Sequence, residues 1–340
     1  MGYYNEQPPP HGHRTPSELA ESDVLPARRA RRAGASLPSG FRHLASGQPF
    51  NLLLAIENDS NALVAIRLAD ELTLRGAIPT VINVTRSLRH PYPSSSAQSY
   101  DDAIFGEDFH ANRCRILHDL IATAVGEDKN WPIESAVGDP APKIVEAAAA
   151  CDAELIVIGI NRHGSFAQAM GENTATRIMG KASVPVIGVR PGMTNKPKLI
   201  MVATDFGESS RQAAHIAANL AQPHGRVVLV YTTASSDMPG AVADREVPTR
   251  DEIDDAFLRI SADIRAGKAI DVESVHRIGD PTEELLAAAE DIGPELIAIG
   301  SERVEGPTRL PLDSITRTLI LDGHWPMLVT PPVTFGSSTS

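Results

Sequence analysis

Residues 159–178, GINRHGSFAQAMGENTATRI, have the residue types and spacing of a loop that wraps an anion. An apolar run, ELIVIGI, leads into them, and a helix-forming stretch, NTATRIMGKA, leads out. A glycine-bearing turn between strand and helix offers backbone N–H groups and the positive helix end to a phosphate. Glycine serves there because the backbone must approach the ligand closely or take positive φ. Here Gly159 opens the loop, but Arg162 and Glu172 follow where such a loop prefers glycine. A second stretch, GSERVEGPTRLPLDSITRTL from Gly300, repeats the arrangement with Arg303, Asp313 and Ser314. Two further acids, Glu57 and Asp205, each follow a short apolar run, NLLLAI and KLIMVA.

The elements that must position these residues occur twice. VGDPAPKIVEAAAACDAELIVIGINR from Val137 lines up with IGDPTEELLAAAEDIGPELIAIGSER from Ile278. Gly138, Asp139, Pro140, Gly159, Arg162 and Pro185 match Gly279, Asp280, Pro281, Gly300, Arg303 and Pro326, each 141 positions on. Ala55 and Glu57 match Ala203 and Asp205 at an offset of 148, so the second copy is shorter in its middle. That middle is RHPYPSSSAQSYDDAIFGED in the first copy and SSDMPGAVADREVP in the second, where a surface loop tolerates a length change. The period is too long for a solenoid and implies two domains, 49–192 and 196–332.

Each copy alternates strand and helix. In the first, the apolar runs NLLLAI, PTVINV, IESAV, ELIVIGI and VPVIGV read as strands. Between them SNALVAIRLADELTLRG reads as a helix with a Ser cap and a terminal Gly, and DPAPKIVEAAAAC as a helix capped by Asp139. Such alternation predicts an α/β fold, a five-stranded, mostly parallel sheet with helices on both faces of each domain. Ligands of these sheets sit outside the carboxyl ends of the strands. That places Glu57 with 159–173, and Asp205 with 300–314.

Other chemistry is thinly represented. His110, Cys114 and His118 share one helix face, but that face runs on into Leu117 and Ile121, so no metal site is expected. The two cysteines, Cys114 and Cys151, make no disulfide framework. Asp139 and Asp280 suit helix caps better than catalysis, and no Ser/His/Asp spacing suggests a nucleophile. A net charge of −12 argues against nucleic acid or an anionic membrane as the main partner. No apolar run is long enough to span a bilayer and no signal-peptide block opens the chain, so a cytoplasmic protein is expected. Residues 1–48, rich in Pro and Arg, read as a disordered tail whose basic run Arg28, Arg29, Arg31, Arg32 suits an acidic partner, and residues 333–340 as a flexible end.

The layout resembles a tandem universal stress protein. That family has an acid after strand one, a GDP start of the third helix, a G-x2-G-x9-G-[ST] loop after strand four, and a Pro opening the last strand. The resemblance covers about 49–332 and implies two Rossmann-like domains of the adenine nucleotide alpha hydrolase-like type. It also implies that members keeping the full motif bind ATP, with the loop around the phosphates and the early acid near ribose and adenine. In this chain the first glycine is Gly159 or Gly300. The second is Arg162 or Arg303, the third is Glu172 or Asp313, and the hydroxyl position is Asn173 or Ser314. The early acid is Glu57 or Asp205.

A carboxylate about 4 Å from a phosphate charge, at an effective dielectric near 20, opposes binding by roughly 4 kcal/mol, or about a thousandfold in affinity. The expectation is therefore a regulatory or binding protein with eroded nucleotide sites. No bound cofactor is expected, or ATP at low affinity, with domain 2 favoured. The arginines are expected to pair with the neighbouring acids, Arg162 with Glu172 and Arg303 with Asp313. An ATP-binding, slowly hydrolysing switch and an adenylate-handling enzyme on a related fold are the alternatives. The resemblance further implies that the two copies pack as an intramolecular pseudo-dimer through VPVIGV and WPMLVT, with a homodimer and an unidentified protein partner left open.

Overall fold

The computed structural model describes residues 43, 48–57, 59–86, 105–160, 174–193, 196–234, 248–301 and 314–332. Domain 1 runs β1 (Phe50–Ala55), α1 (Ala62–Thr73), β2 (Ala77–Thr85), α2 (Glu107–Val125), β3 (Ile133–Val137), α3 (Pro140–Ala150), β4 (Leu155–Gly159), α4 (Thr174–Lys181) and β5 (Val186–Val189). Domain 2 repeats it with β6 (Leu199–Ala203), α5 (Glu208–Leu220), β7 (Arg226–Thr233), α6 (Arg250–Arg265), β8 (Asp271–Ile278), α7 (Pro281–Ile292), β9 (Leu296–Gly300), α8 (Ser314–Leu321) and β10 (Met327–Thr330). The expected disordered tail and flexible end lie outside the described residues, apart from His43 and residue 48. His43 Nδ1 is 3.2 Å from Glu154 Oε1.

Among the described residues ten strands form one sheet in the order β3-β2-β1-β4-β5-β10-β9-β6-β7-β8. Within each domain the pairings are parallel, and only β5 and β10 run antiparallel. The order reads the same from either end once the second copy is numbered like the first, as a pseudo-twofold axis requires. The central strands are almost wholly apolar because they are covered on both faces. Leu52, Leu53, Leu54, Ile156, Val157, Ile200, Met201, Val202, Ile297 and Ala298 are fully buried. Ile144, Ile178, Leu285 and Leu319, from helices on one face, join a core that runs through both domains.

The last strands expose apolar edges in an isolated domain, and pairing removes them. The register sets Met327 opposite Gly188, Leu328 opposite Ile187 and Val329 opposite Val186. Burying a Val, Ile, Leu or Met side chain is worth about 1.5–3 kcal/mol. Val186, Ile187, Met327, Leu328 and Val329 of this seam are at most 1% exposed. The junction is therefore core, not a docked surface.

Helix starts differ from the expected ones in two places. The α1 start is held by Asp59 rather than Ser60, because Asp59 Oδ1 accepts from Asn61 N at 2.9 Å and Ala62 N at 3.1 Å. At α3 Asp139 has the extended N-cap backbone but makes no side-chain cap bond. Its carboxylate is held by Arg177 of α4, whose Nη1 donates to Oδ1 at 2.8 Å and whose Nη2 donates to Oδ2. The matching Asp280 does cap α7, accepting from Thr282 N and Glu283 N. A bidentate guanidinium–carboxylate pair is stronger than a cap bond, and domain 2 has Thr318 where domain 1 has Arg177.

Arg190, just past β5, is 5% exposed and spans the seam. Its Nε donates to Trp325 O at 2.9 Å and its Nη2 to Ile320 O at 2.7 Å. These carbonyls lie at the C-terminal end of α8 and the lead into β10, where a cation also meets the negative end of the helix. Arg190→Met strands two carbonyls and is expected to cost about 2–4 kcal/mol, since hydrogen bonds to charged groups are worth about 1.5–3 kcal/mol. The exposed Arg250→Met should change stability by less than about 0.5 kcal/mol. Urea unfolding of the two variants checks this, and equal midpoints would remove Arg190 from the seam.

A pH effect follows from the α5–α6 layer of domain 2. His215 is held below its ordinary pKa, first by burial, then by Lys268, with Asp263 opposing and Arg211 adding. Burial also lowers the Lys268 pKa. The folded state thus resists protonating His215, so its contribution is complete above the ordinary pKa of 6.5 and is lost as pH falls below it. Stability measured from pH 8 to about pH 5 should fall less steeply in His215→Gln than in the natural chain over this histidine range. Parallel curves would sink the assignment.

Candidate functional site

The carboxyl ends of β1, β2 and β4 form the crevice of domain 1, and those of β6, β7 and β9 that of domain 2. Glu57 and Asp205 stand just beyond β1 and β6, and Gly159 and Gly300 close β4 and β9. Ser314 is the exposed first residue of α8. Arg162, Glu172, Asn173, Arg303 and Asp313, with the ion pairs expected between them, lie outside the described residues.

The two glycines have a packing reason to be small. A Cβ on Gly300 would lie 2.3 Å from Ser210 N and 2.5 Å from Ser209 C, both backbone atoms at the start of α5. A Cβ on Gly159 would lie 2.8 Å from Asn61 Cβ, at the start of α1. Strand four thus presses against the first helix of its own domain. Thr330 Oγ1 on β10 donates to Ser209 O at 2.8 Å and fastens the same helix start.

Asp205 is built into that helix start too. Its Oδ1 accepts from Ser210 Oγ at 2.6 Å and from Gly207 N at 2.9 Å. Between the acid and the helix, Phe206 takes a φ of 62°, a region that a bulky side chain rarely occupies. Phe206 N donates to Thr204 Oγ1 at 3.0 Å. The Phe206 ring lies 4.6 Å from Tyr231 of β7 and 5.1 Å, edge-on, from Phe257 of α6. His276 of β8 stacks on Tyr231 at 5.7 Å, and its Nε2 is 2.9 Å from Thr233 Oγ1. Burial, and then Asp205, push the Tyr231 hydroxyl above its ordinary pKa.

Domain 1 is polar at the same place. Asn83 occupies the Tyr231 position of the aligned strands and is 3% exposed. Its Nδ2 donates to Ile56 O at 2.8 Å, and its Oδ1 has no partner among the described residues. Arg113 stands on α2, as Phe257 does on α6, and its Nε is buried without a partner among the described residues. Glu57 still reaches solvent. Desolvation, then Asp59, nevertheless raises its pKa, while Arg86 and Arg113 draw it down. Arg86 Nη2 donates to Thr174 Oγ1 at 2.7 Å, which sets a guanidinium over the start of α4.

The remaining candidates are structural. His110 Nδ1 is 3.0 Å from Ser135 Oγ, Cys114 Sγ points to Ile133 O at 3.8 Å, and His118 is exposed. Among the described residues no group of three His, Cys, Asp or Glu is placed to hold a metal. Sequence reasoning missed the Phe206–Tyr231–Phe257 cluster, Arg86 and Arg177. The cluster had a signal: aromatics are only 4% of the chain, yet Phe206 directly follows the candidate acid.

If the strand-four glycines serve packing, they matter without any ligand. Gly300→Ala forces backbone apart at the start of α5 and should destabilise the unliganded chain by about 1–3 kcal/mol. Gly159→Ala meets only a side chain and should cost less. Differential scanning calorimetry without nucleotide checks the order. A Gly300→Ala protein as stable as the natural chain would leave its glycine to ligand binding.

These features have relatives. The model of the universal stress protein family matches residues 50–190 and again 197–331. Among solved structures, the chain is similar to a universal stress protein from Archaeoglobus fulgidus DSM 4304, with 18% identity and a TM-score of 0.60, covering 84% of this chain and 97% of that one. It is also similar to a functionally unknown protein from Pseudomonas aeruginosa PAO1, with 14% identity and a TM-score of 0.53, covering 85% of this chain and 94% of that one. At these identities the likeness is one of fold. No curated protein matches the chain. The two family matches in tandem, over two domains joined strand to strand, make this chain a member of the universal stress protein family.

Proposed function

We propose that the chain is a stress-linked regulatory or binding protein without committed catalysis, whose nucleotide sites have lost most of their affinity. The observation that carries this reading is the state of Asp205. Its Oδ1 is engaged by Ser210 and Gly207, and Phe206, next to it in the chain, packs on Tyr231 and Phe257. An acid whose oxygen is tied into a helix start is a poorer receptor for a ribose. The loss of loop glycines at Arg162, Glu172, Arg303 and Asp313 acts in the same direction, since side chains there displace the free N–H groups a phosphate needs. We place the protein in the cytoplasm; among the described residues no helix is long and apolar enough to cross a membrane.

The second reading is an ATP-binding switch with slow hydrolysis. One contact favours it, the Arg86 guanidinium over Thr174 at the start of α4, where a phosphate would meet both a cation and a helix N-terminus. This contact favours domain 1, whereas Asp205, Gly300 and Ser314 favour domain 2 on sequence.

Calorimetry with ATP tests both. The natural chain should not saturate at about 1 mM, the level that corresponds to about 4 kcal/mol of binding free energy. Asp313→Gly should tighten binding by removing a like charge, and Arg303→Gly with Asp313→Gly should tighten it through a freed backbone. The same changes at Arg162 and Glu172 should do less, because Glu57 is a methylene longer than Asp205. Micromolar binding by the natural chain, abolished by Arg86→Ala, would establish the switch instead.

A further inference from the structure

We propose that β8 is a self-complementary edge through which two copies of this chain pair, antiparallel about Val275, into one continuous sheet. The inference is independent of what either crevice holds. Pairing β5 with β10 uses up the inner edges, and β3 and β8 remain as the ends of the sheet. An open row of N–H and C=O groups is a template for another strand. β8 is the longer of the two, with eight residues against five.

The backbone of β8 is arranged for a partner. Asp271 N donates to Gly225 O and Gly279 N to Thr233 O, both towards β7. Backbone groups alternate sides along a strand, so Ser274, His276 and Ile278 turn theirs outward. At the amino end the outward Val272 O is already taken by Arg265 Nη2 at 2.6 Å, which leaves Ser274 and His276 as the free centre. A twofold axis at Val275 lets Ser274 and His276 of one copy exchange N–H and C=O bonds with His276 and Ser274 of the other, as hydrogen-bonded antiparallel pairs do.

The side chains fit the same register. Ile278, 65% exposed at the end of the strand, comes beside Val272 of the second copy, and Val275 beside its own counterpart. Glu273 comes beside Arg277, opposite charges directly across. Within one chain Glu273 meets Arg226 at 3.2 Å and Arg277 meets Asp291 at 2.6 Å, so each cross-strand pair joins a row of alternating charge. Centring on Ser274 instead would set Glu273 against Val275. Charges on an edge ordinarily guard it, but these match when the strand is reversed on itself. β3 lacks the pattern. Glu134 is its one charged residue, and Cys114 and His110 of α2 meet Ile133 O and Ser135 Oγ.

Sedimentation equilibrium on the full chain tests the pairing. The natural chain should be a monomer–dimer mixture whose mean mass rises with concentration. Arg277→Glu sets like charges across the axis twice and should weaken the dimer by about tenfold or more. Adding Glu273→Arg should restore it, an outcome that neither misfolding nor loss of the Asp291 contact can produce. Val275→Cys tests the register, because opposed residues of a non-hydrogen-bonded pair lie about 4.5 Å apart, close enough for a disulfide. Mild oxidation should link Val275→Cys into a covalent dimer. Ser274→Cys, one step off the axis, and the natural chain should stay unlinked. A natural chain that is monomeric at every concentration would overturn the proposal and leave the edge to another protein or to solvent. A dimer indifferent to the charge exchange, or equal crosslinking by the two cysteine variants, would overturn it as well.

Discussion

The antiparallel pairing of β5 with β10 is the constraint on which the rest of the molecule depends. Each domain alone ends in a four-residue apolar strand with an open edge, and the two edges satisfy each other. Because the strands of each half run parallel, reversing direction at the seam points the carboxyl ends of the two halves opposite ways. The crevices at Glu57 and Asp205 therefore open at opposite ends of the sheet, and no small ligand bridges them. Arg190 follows from the same geometry. Leaving β5 at its carboxyl end, the chain arrives beside the amino end of β10, where Trp325 and Ile320 offer their carbonyls.

That constraint separates two jobs of glycine that a motif runs together. Gly159 and Gly300 end strands pressed against the first helix of their domain, and a Cβ at either would collide with that helix start. Packing alone accounts for both glycines, with or without a phosphate nearby. Arg162, Glu172, Arg303 and Asp313 stand at loop positions where a phosphate site prefers glycine. A chain can thus hold the frame of a nucleotide site after its capacity is reduced.

Much of the fold was legible in the sequence because its determinants are local or repeated. Runs such as LIVIG and LIAIG mark doubly covered strands, and the shared GDP marks the start of the third helix in each copy. The edge position of VPVIGV and WPMLVT was legible because they are short, apolar and terminal, and the family resemblance supplied their pairing. The helix starts were less so. Ser60 and Asp59 are both fair caps, and Asp139 was drawn off by Arg177, 38 positions away. No local rule sees a partner at that distance. The domain 2 crevice was missed for the same reason, since Phe206, Tyr231, Phe257 and His276 come from four elements and meet only when the sheet forms.

The halves differ mainly where their ligands would sit. Their cores use the same strands in the same register, and the acids Glu57 and Asp205 and the glycines Gly159 and Gly300 correspond, while other crevice residues change character. Asn83 stands where the repeat has Tyr231, Arg86 has Ala234 as its counterpart, and Arg113 stands on the helix that corresponds to that of Phe257. Changes in a core of this density are felt throughout a domain, whereas changes at the strand ends are absorbed by the crevice itself. Duplication inside one sheet makes the divergence tolerable. The seam binds the halves whatever either crevice holds, so domain 2 can close on its own rings while domain 1 keeps buried polar atoms, Asn83 Oδ1 and Arg113 Nε, without partners among the described residues.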